Sequence, residues 1–182
     1  WESDQWDILY NRDTGIPLGI HSQDYTLVQN EELFQVVEEQ IINAFDPSIL
    51  DNIEVKDSVQ KNGAVCIRQY IFPGKSRVIK TNSGHESEIR FRAIAWNCFN
   101  GDHKVKIIFG DIDMFCSNGM ISGEYSTVTG KRSKNFDLSK MKKPLEVAFS
   151  RFDDRIDQYQ KWALMDVNVD HVDEFFDKIG GG

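Results

Sequence analysis

The chain has 182 residues, enough for one domain with a real core, with 27% charged side chains, 40% apolar ones and a formal net charge of −8. No run approaches the ~18–20 apolar residues of a membrane-spanning helix, and the first residues carry no signal-peptide pattern. Cys66, Cys98 and Cys116 are odd in number and lack C-x-x-C spacing, which argues against a disulfide framework or a zinc site and makes a reducing cytoplasm the expected compartment.

Residues 16–20, "IPLGI", predict a short strand. Asn30 is placed as the N-cap of a helix, with Glu31 and Glu32 in its first turn, where the macrodipole favours anions. Leu33, Val36, Val37, Ile41 and Ala44 recur at helical spacing, and Asp46 before Pro47 ends the helix. Six β-rich runs follow: 53–59, 64–72, 76–80, 88–99, 104–109 and 112–117. The dipeptides Asn62-Gly63, Pro73-Gly74, Asn100-Gly101 and Asn118-Gly119 separate them, and Asn-Gly between such runs signals a hairpin. Pro144 suits the first position of a long helix whose apolar face is Leu145, Phe149, Phe152, Ile156, Tyr159 and Ala163. The expected fold is α+β. An antiparallel β-meander of four to six strands is packed on one face by an N-terminal helix and a long C-terminal helix. Residues 1–165 form the domain, 53–123 its basic meander, and 166–182 an acidic tail.

Charge is segregated along this order. Residues 1–60 carry a net −11, 61–143 a net +8, and 144–182 a net −5. A basic middle between acidic ends suggests a polyanionic partner, unless folding interleaves the segments and cancels the field. Strand alternation sets Arg90, Arg92, Ile94 and Trp96 on one face and Phe91, Ala93 and Ala95 on the other. A three-residue bend, Phe99-Asn100-Gly101, places Trp96 opposite Lys104 and Ile94 opposite Lys106, gathering the cations and the indole on one side. The neighbouring hairpin adds Arg68, Tyr70 and Phe72, with Lys75, Arg77 and Lys80 near its tip. The stretch "KRSKNFDLSKMKK" extends this track as a flexible basic loop through Lys131, Arg132, Lys134, Lys140, Lys142 and Lys143. Cations interleaved with aromatics on a sheet suit single-stranded nucleic acid, phosphates pairing with the former and bases stacking on the latter. A plain solvated sheet face is the competing reading.

Catalytic signals are sparse. His21, His85, His103 and His171 are scattered, and no phosphate-binding glycine loop appears. Asp111 and Asp113, with Glu86 or Glu88, form the sharpest candidate, a Mg²⁺ site of nuclease type. A solvated strand end explains the pair as well, and no cofactor and no enzyme activity are expected.

Two stretches resemble a phage- and plasmid-borne family of uncharacterised function. In "RDTGIPLGIHSQDYTLVQNEELFQVVEEQI" (12–41) a strand bearing Leu18-Gly19 leads through Tyr25-x-x-x-Gln29-Asn30 into a helix, and "MFCSNGMISG" (114–123) ends a strand in Cys116-x-Asn118. Where that family usually has Asn-Thr, this chain has Asn118-Gly119. The resemblance implies a viral or mobile-element protein in a bacterial-host cytoplasm and transfers no catalytic residue. The element order and charge placement are more remotely similar to single-strand annealing proteins of the Rad type and their phage counterparts. This implies a non-enzymatic single-stranded DNA-binding and annealing protein of recombination, a homo-oligomer, ring-shaped by that likeness. An acidic DNA mimic docking on a host enzyme is the alternative.

Overall fold

The computed structural model describes residues 5–45, 47–113, 125–130, 133–134, 136–141 and 145–166. Within them the chain is α+β. Strands β1 (Trp6–Tyr10) and β2 (Pro17–Ser22) form a two-stranded antiparallel sheet, and α1 (Asn30–Ala44) follows. Strands β3 (Glu54–Gln60), β4 (Val65–Lys80), β5 (Glu86–Cys98), β6 (Val105–Asp113) and β7 (Tyr125–Gly130) then make a five-stranded antiparallel meander in chain order. Helices α2 (Leu145–Ser150) and α3 (Phe152–Ala163) close the described fold. No described helix is long and apolar enough to cross a membrane.

The helices cover one face of the sheet. Phe91, Ala93 and Ala95 of β5 and Val105, Ile107 and Phe109 of β6 pack there against Leu33, Val37 and Ile41 of α1 and Phe152 and Ile156 of α3. A ring cluster of Phe45, Phe72, Phe91 and Phe149 holds the centre, with centroids 4.5–5.8 Å apart in tilted or edge-on pairs. Alternation leaves a smaller apolar group on the second face: Val65, Ile67, Ile94, Cys98 and Ile108, with Trp96 against it.

Several expectations shift. β1 had no sequence signal strong enough to find it. Gln29, not Asn30, caps α1; the Glu32 carboxylate accepts the Gln29 N–H at 2.8 Å. The helix ends at Ala44, capped by Phe45, one step ahead of Asp46. Pro73-Gly74 is no turn. Runs 64–72 and 76–80 are one 16-residue strand whose register shifts between Ile71 and Ser76, a bulge that absorbs the proline's missing donor. The reversal between β4 and β5 comes at Thr81–His85, with Gly84 at φ +82°. The long C-terminal helix is two, meeting at Arg151. The sheet reaches Gly130 rather than ending at 123, because β7 adds a fifth strand. Asn118-Gly119, Cys116, Pro144 and the tail 167–182 lie outside the described residues.

Candidate nucleic-acid interface

The β5–β6 hairpin brings an indole and an ammonium group together. Trp96 pairs with Lys106 and Ile94 with Ile108. The expected register was two residues tighter. The wider loop is held by local bonds: Asn100 Oδ1 accepts the Asp102 N–H at 3.2 Å, its Nδ2 donates to Asp102 at 2.7 Å, and Lys61 Nζ reaches Asp102 at 2.5 Å. That ion pair holds the Asp102 carboxyl below its ordinary range. A shift of two keeps the parity, so Arg90, Arg92, Trp96 and Lys106 do share the face turned away from the helices. Lys106 Nζ lies 5.1 Å from the indole centroid, and the His103 ring meets Trp96 edge-on at 5.7 Å. Lys104, two positions before Lys106, is exposed.

The rest of the anticipated track is divided and neutralised. Arg68 and Tyr70 belong to the helix-covered face, since their partners Ala95 and Ala93 do. Arg68 forks onto Asp57 with two 2.7 Å bonds and lies over the Phe34 ring. Tyr70 is buried and donates to Glu38 at 2.8 Å; burial pushes its hydroxyl pKa up. Lys75 and Arg77 both bind Asp153 of α3, and Lys75 sits over Phe149 and Phe152. Lys80 pairs with Glu86. Arg90 binds Glu88 at 2.7 Å and Glu54 at 3.4 Å. Arg92 is only 3% exposed and donates to Gln69 at 2.6 Å, so its guanidinium is part of the fold. Exposed pairs of this kind add little stability, but they cancel the field a polyanion needs. Among the described residues of the β4–β6 track, only Lys106 and, just before β6, Lys104 have no carboxylate within ion-pair distance and no burial of this depth.

The described part of the run 131–143, residues 133–134 and 136–141, is tied to the fold. Phe136 and Leu138 pack on the main core, Met141 is buried within it, and the Thr26 hydroxyl donates to Ser133 O at 2.8 Å. Between these anchors Lys134 and Lys140 stay 82% and 78% exposed, 3.9 Å from Asp24 and 3.7 Å from Asp137. Lys131, Arg132, Lys142 and Lys143 lie outside the described residues. The run leaves β7 where Gly130 pairs with Val105 and Thr129 with Lys106, beside the Trp96 cluster.

The metal reading loses its first ligand. Asp111 lies on the helix-covered face, 1% exposed, where Arg155 binds both carboxylate oxygens and the Tyr159 hydroxyl donates at 3.0 Å. Glu86 and Glu88 are held by Lys80 and Arg90, and no group of three metal-ligating side chains exists among the described residues. Burial pushes the Cys66 thiol pKa up, which disfavours a nucleophilic role there.

The signature residues of 12–41 are structural ties. Asn97 Nδ2 donates to Asn30 Oδ1 at 2.8 Å and to Val28 O at 3.1 Å, and Asn30 Nδ2 reaches Cys66 Sγ at 3.2 Å. These bonds fix the start of α1 over β4 and β5. Gly19 is obligatory for contact: a Cβ there would meet His21 Nε2 at 2.8 Å and Asn100 Cα at 2.9 Å. His21, stacked on Tyr25 at 3.8 Å, bonds Phe99 O at 2.5 Å. Sequence reading missed this seam because polar residues at caps and turns carry no spacing that names their distant partners.

No curated protein and no solved structure matches the chain. A family model described as a domain of unknown function, DUF932, matches residues 17–180, covering both the α1 seam and the meander. The chain belongs to the DUF932 family.

Proposed function

We propose that the chain binds single-stranded nucleic acid at the end of the β5–β6 hairpin, using Trp96, Lys104 and Lys106. One observation carries this reading: an ammonium group 5.1 Å over a half-buried indole, on the sheet face away from the helices, with no carboxylate to neutralise it among the described residues. A base stacking on the indole ring and a phosphate on the two lysines use this geometry without sequence selectivity. Lys134 and Lys140 extend the contact along the run that starts beside it. The finer form is annealing: phosphates are held while base edges stay open to a complementary strand. It rests on the helix–meander–helix order and on DNA as the expected strand.

A gel shift with single- and double-stranded oligonucleotides at low salt tests it. Lys104→Glu/Lys106→Glu is expected to abolish the single-strand shift with an unchanged circular dichroism spectrum. An undiminished shift refutes this site. The second reading, docking on a host protein through acidic surface, draws on exposed Asp7, Asp13, Glu31 and Glu32, for which no cation partner is seen among the described residues. Binding to a host enzyme without any affinity for oligonucleotides would favour it.

A further inference from the structure

The β1–β2 hairpin has one face docked and one face bare. Leu9, Gly19 and His21 alternate onto the side that meets the Phe99–Asn100 turn. On the other side Trp6 and Ile8 are joined by Ile20, directly opposite Ile8, and by Tyr10 at the strand end. These four side chains are 48–65% exposed. A two-stranded sheet is marginal in water by itself, and an apolar patch of this kind marks an interaction surface.

A second bare patch lies at the far end of the meander. Trp162, Leu164 and Met165, at the end of α3, are 49–63% exposed. Their position is fixed by the β4–β5 turn: Asn82 Nδ2 donates to Leu164 O at 3.0 Å, and Gln160 exchanges bonds with the Lys80 backbone at 2.8 and 3.1 Å. The hairpin sits by Phe99, just past the end of β5, and this patch by Thr81–His85, just before its start. Thirteen residues of strand separate them, ~40 Å.

We infer that these two patches are one head-to-tail interface between copies of this chain. The hairpin face of one copy covers the α3 end of the next. The areas match the need. At ~200 Å² per large side chain, half exposure leaves ~400 Å² on the hairpin and ~300 Å² on α3. Together they supply the apolar core of a standard interface of ~1,600 Å². Each patch carries a tryptophan, the side chain that most often anchors such a core. Two different surfaces at opposite ends make the contact heterologous, so it propagates into a ring or an open filament rather than closing as a dimer. The inference is independent of the nucleic-acid reading and is tested without oligonucleotide.

Sedimentation velocity of the full chain across a concentration series is expected to show assemblies larger than a dimer. Ile20→Glu and Trp162→Glu, each with an unchanged thermal melt, are expected to be monomeric alone. Mixed in equal amounts they form a dimer and stop there, because one intact hairpin meets one intact α3 end. Three results overturn the inference: a wild-type chain that stays monomeric, a mixture that stays monomeric, or a Trp162→Glu variant that still dimerises, which would mean hairpin-to-hairpin pairing. Where a glutamate variant melts early, Ile20→Thr and Trp162→Gln repeat the same comparison with milder changes.

Discussion

Replacing Asp111 by alanine tests the claim that this carboxylate belongs to the fold rather than to a metal site. Asp111 is 1% exposed and Arg155 has only 12% of its side chain in solvent. The variant takes the carboxylate from a largely buried guanidinium, which keeps its bond to Ala148 O, and removes the acceptor that the Tyr159 hydroxyl reaches at 3.0 Å. Breaking a buried ion pair from one side costs about 3–5 kcal/mol. For a domain of this size ~1 kcal/mol shifts the melting temperature by about 2–4 °C, so the loss is about 6–20 °C. Urea denaturation gives the same energy independently: the midpoint falls while the slope is retained. Asp111→Leu/Arg155→Met, which removes both charges, recovers part of the loss, since a buried pair replaced by apolar groups is often neutral. A cost under about 1 kcal/mol for Asp111→Ala, or a wild-type melting temperature raised by Mg²⁺ and insensitive to it in the variant, contradicts the reasoning.

Asn97→Ala removes two bonds, a buried one to Val28 O and a part-buried one to Asn30; at ~0.5–1.5 kcal/mol each it lowers stability by about 1–3 kcal/mol, read from urea denaturation. Gly19→Ala drives a methyl into the Phe99–Asn100 turn. It costs about 1–3 kcal/mol as overpacking and exposes the 11–16 loop to limited proteolysis ahead of the rest of the chain. Asp57, Glu88, Asp102 and Asp153 are held below their ordinary ranges, chiefly by hydrogen bonds from Arg68, Arg90, Lys61 and Lys75. Lowered folded-state values mean that the unfolded chain binds more protons. Their contribution is therefore full above about pH 5 and lost as pH falls through about 4 and below, a decline that melting temperatures across pH should show.

Much of the architecture was legible because the signals were local. Asn62-Gly63 and Asn100-Gly101 both mark real reversals, with φ of +56° and +98° at the first pair and +81° at Gly101. Alternation in β5 and β6 sorted Phe91, Ala93 and Ala95 from Arg90, Arg92 and Trp96 without knowledge of the register. What stayed hidden depends on distant residues. Pro73-Gly74 looks like a turn until β5 is seen to run past it on both sides of a bulge. Arg68 looks like a phosphate ligand until β3 brings Asp57 opposite it and α1 adds Phe34. Lys75 and Arg77 are equally available in the sequence and equally committed in the fold, because α3 returns Asp153 some 80 positions later to the same spot. A net charge of +8 across 61–143 was therefore real as a sum, while most of its cations among the described residues are paired with carboxylates.

The most direct test of the account is the salt dependence of single-strand binding, followed by fluorescence anisotropy of a labelled oligothymidylate from about 50 to 200 mM salt. Each phosphate contact on a single strand contributes about −0.7 to the slope of log K against log salt, so Lys104→Gln/Lys106→Gln should flatten it by about 1.4. Trp96→Ala should weaken binding by about 1–3 kcal/mol at every salt concentration and leave the slope alone. No binding at the lowest salt, or a slope unmoved by loss of the two lysines, contradicts the proposed interface.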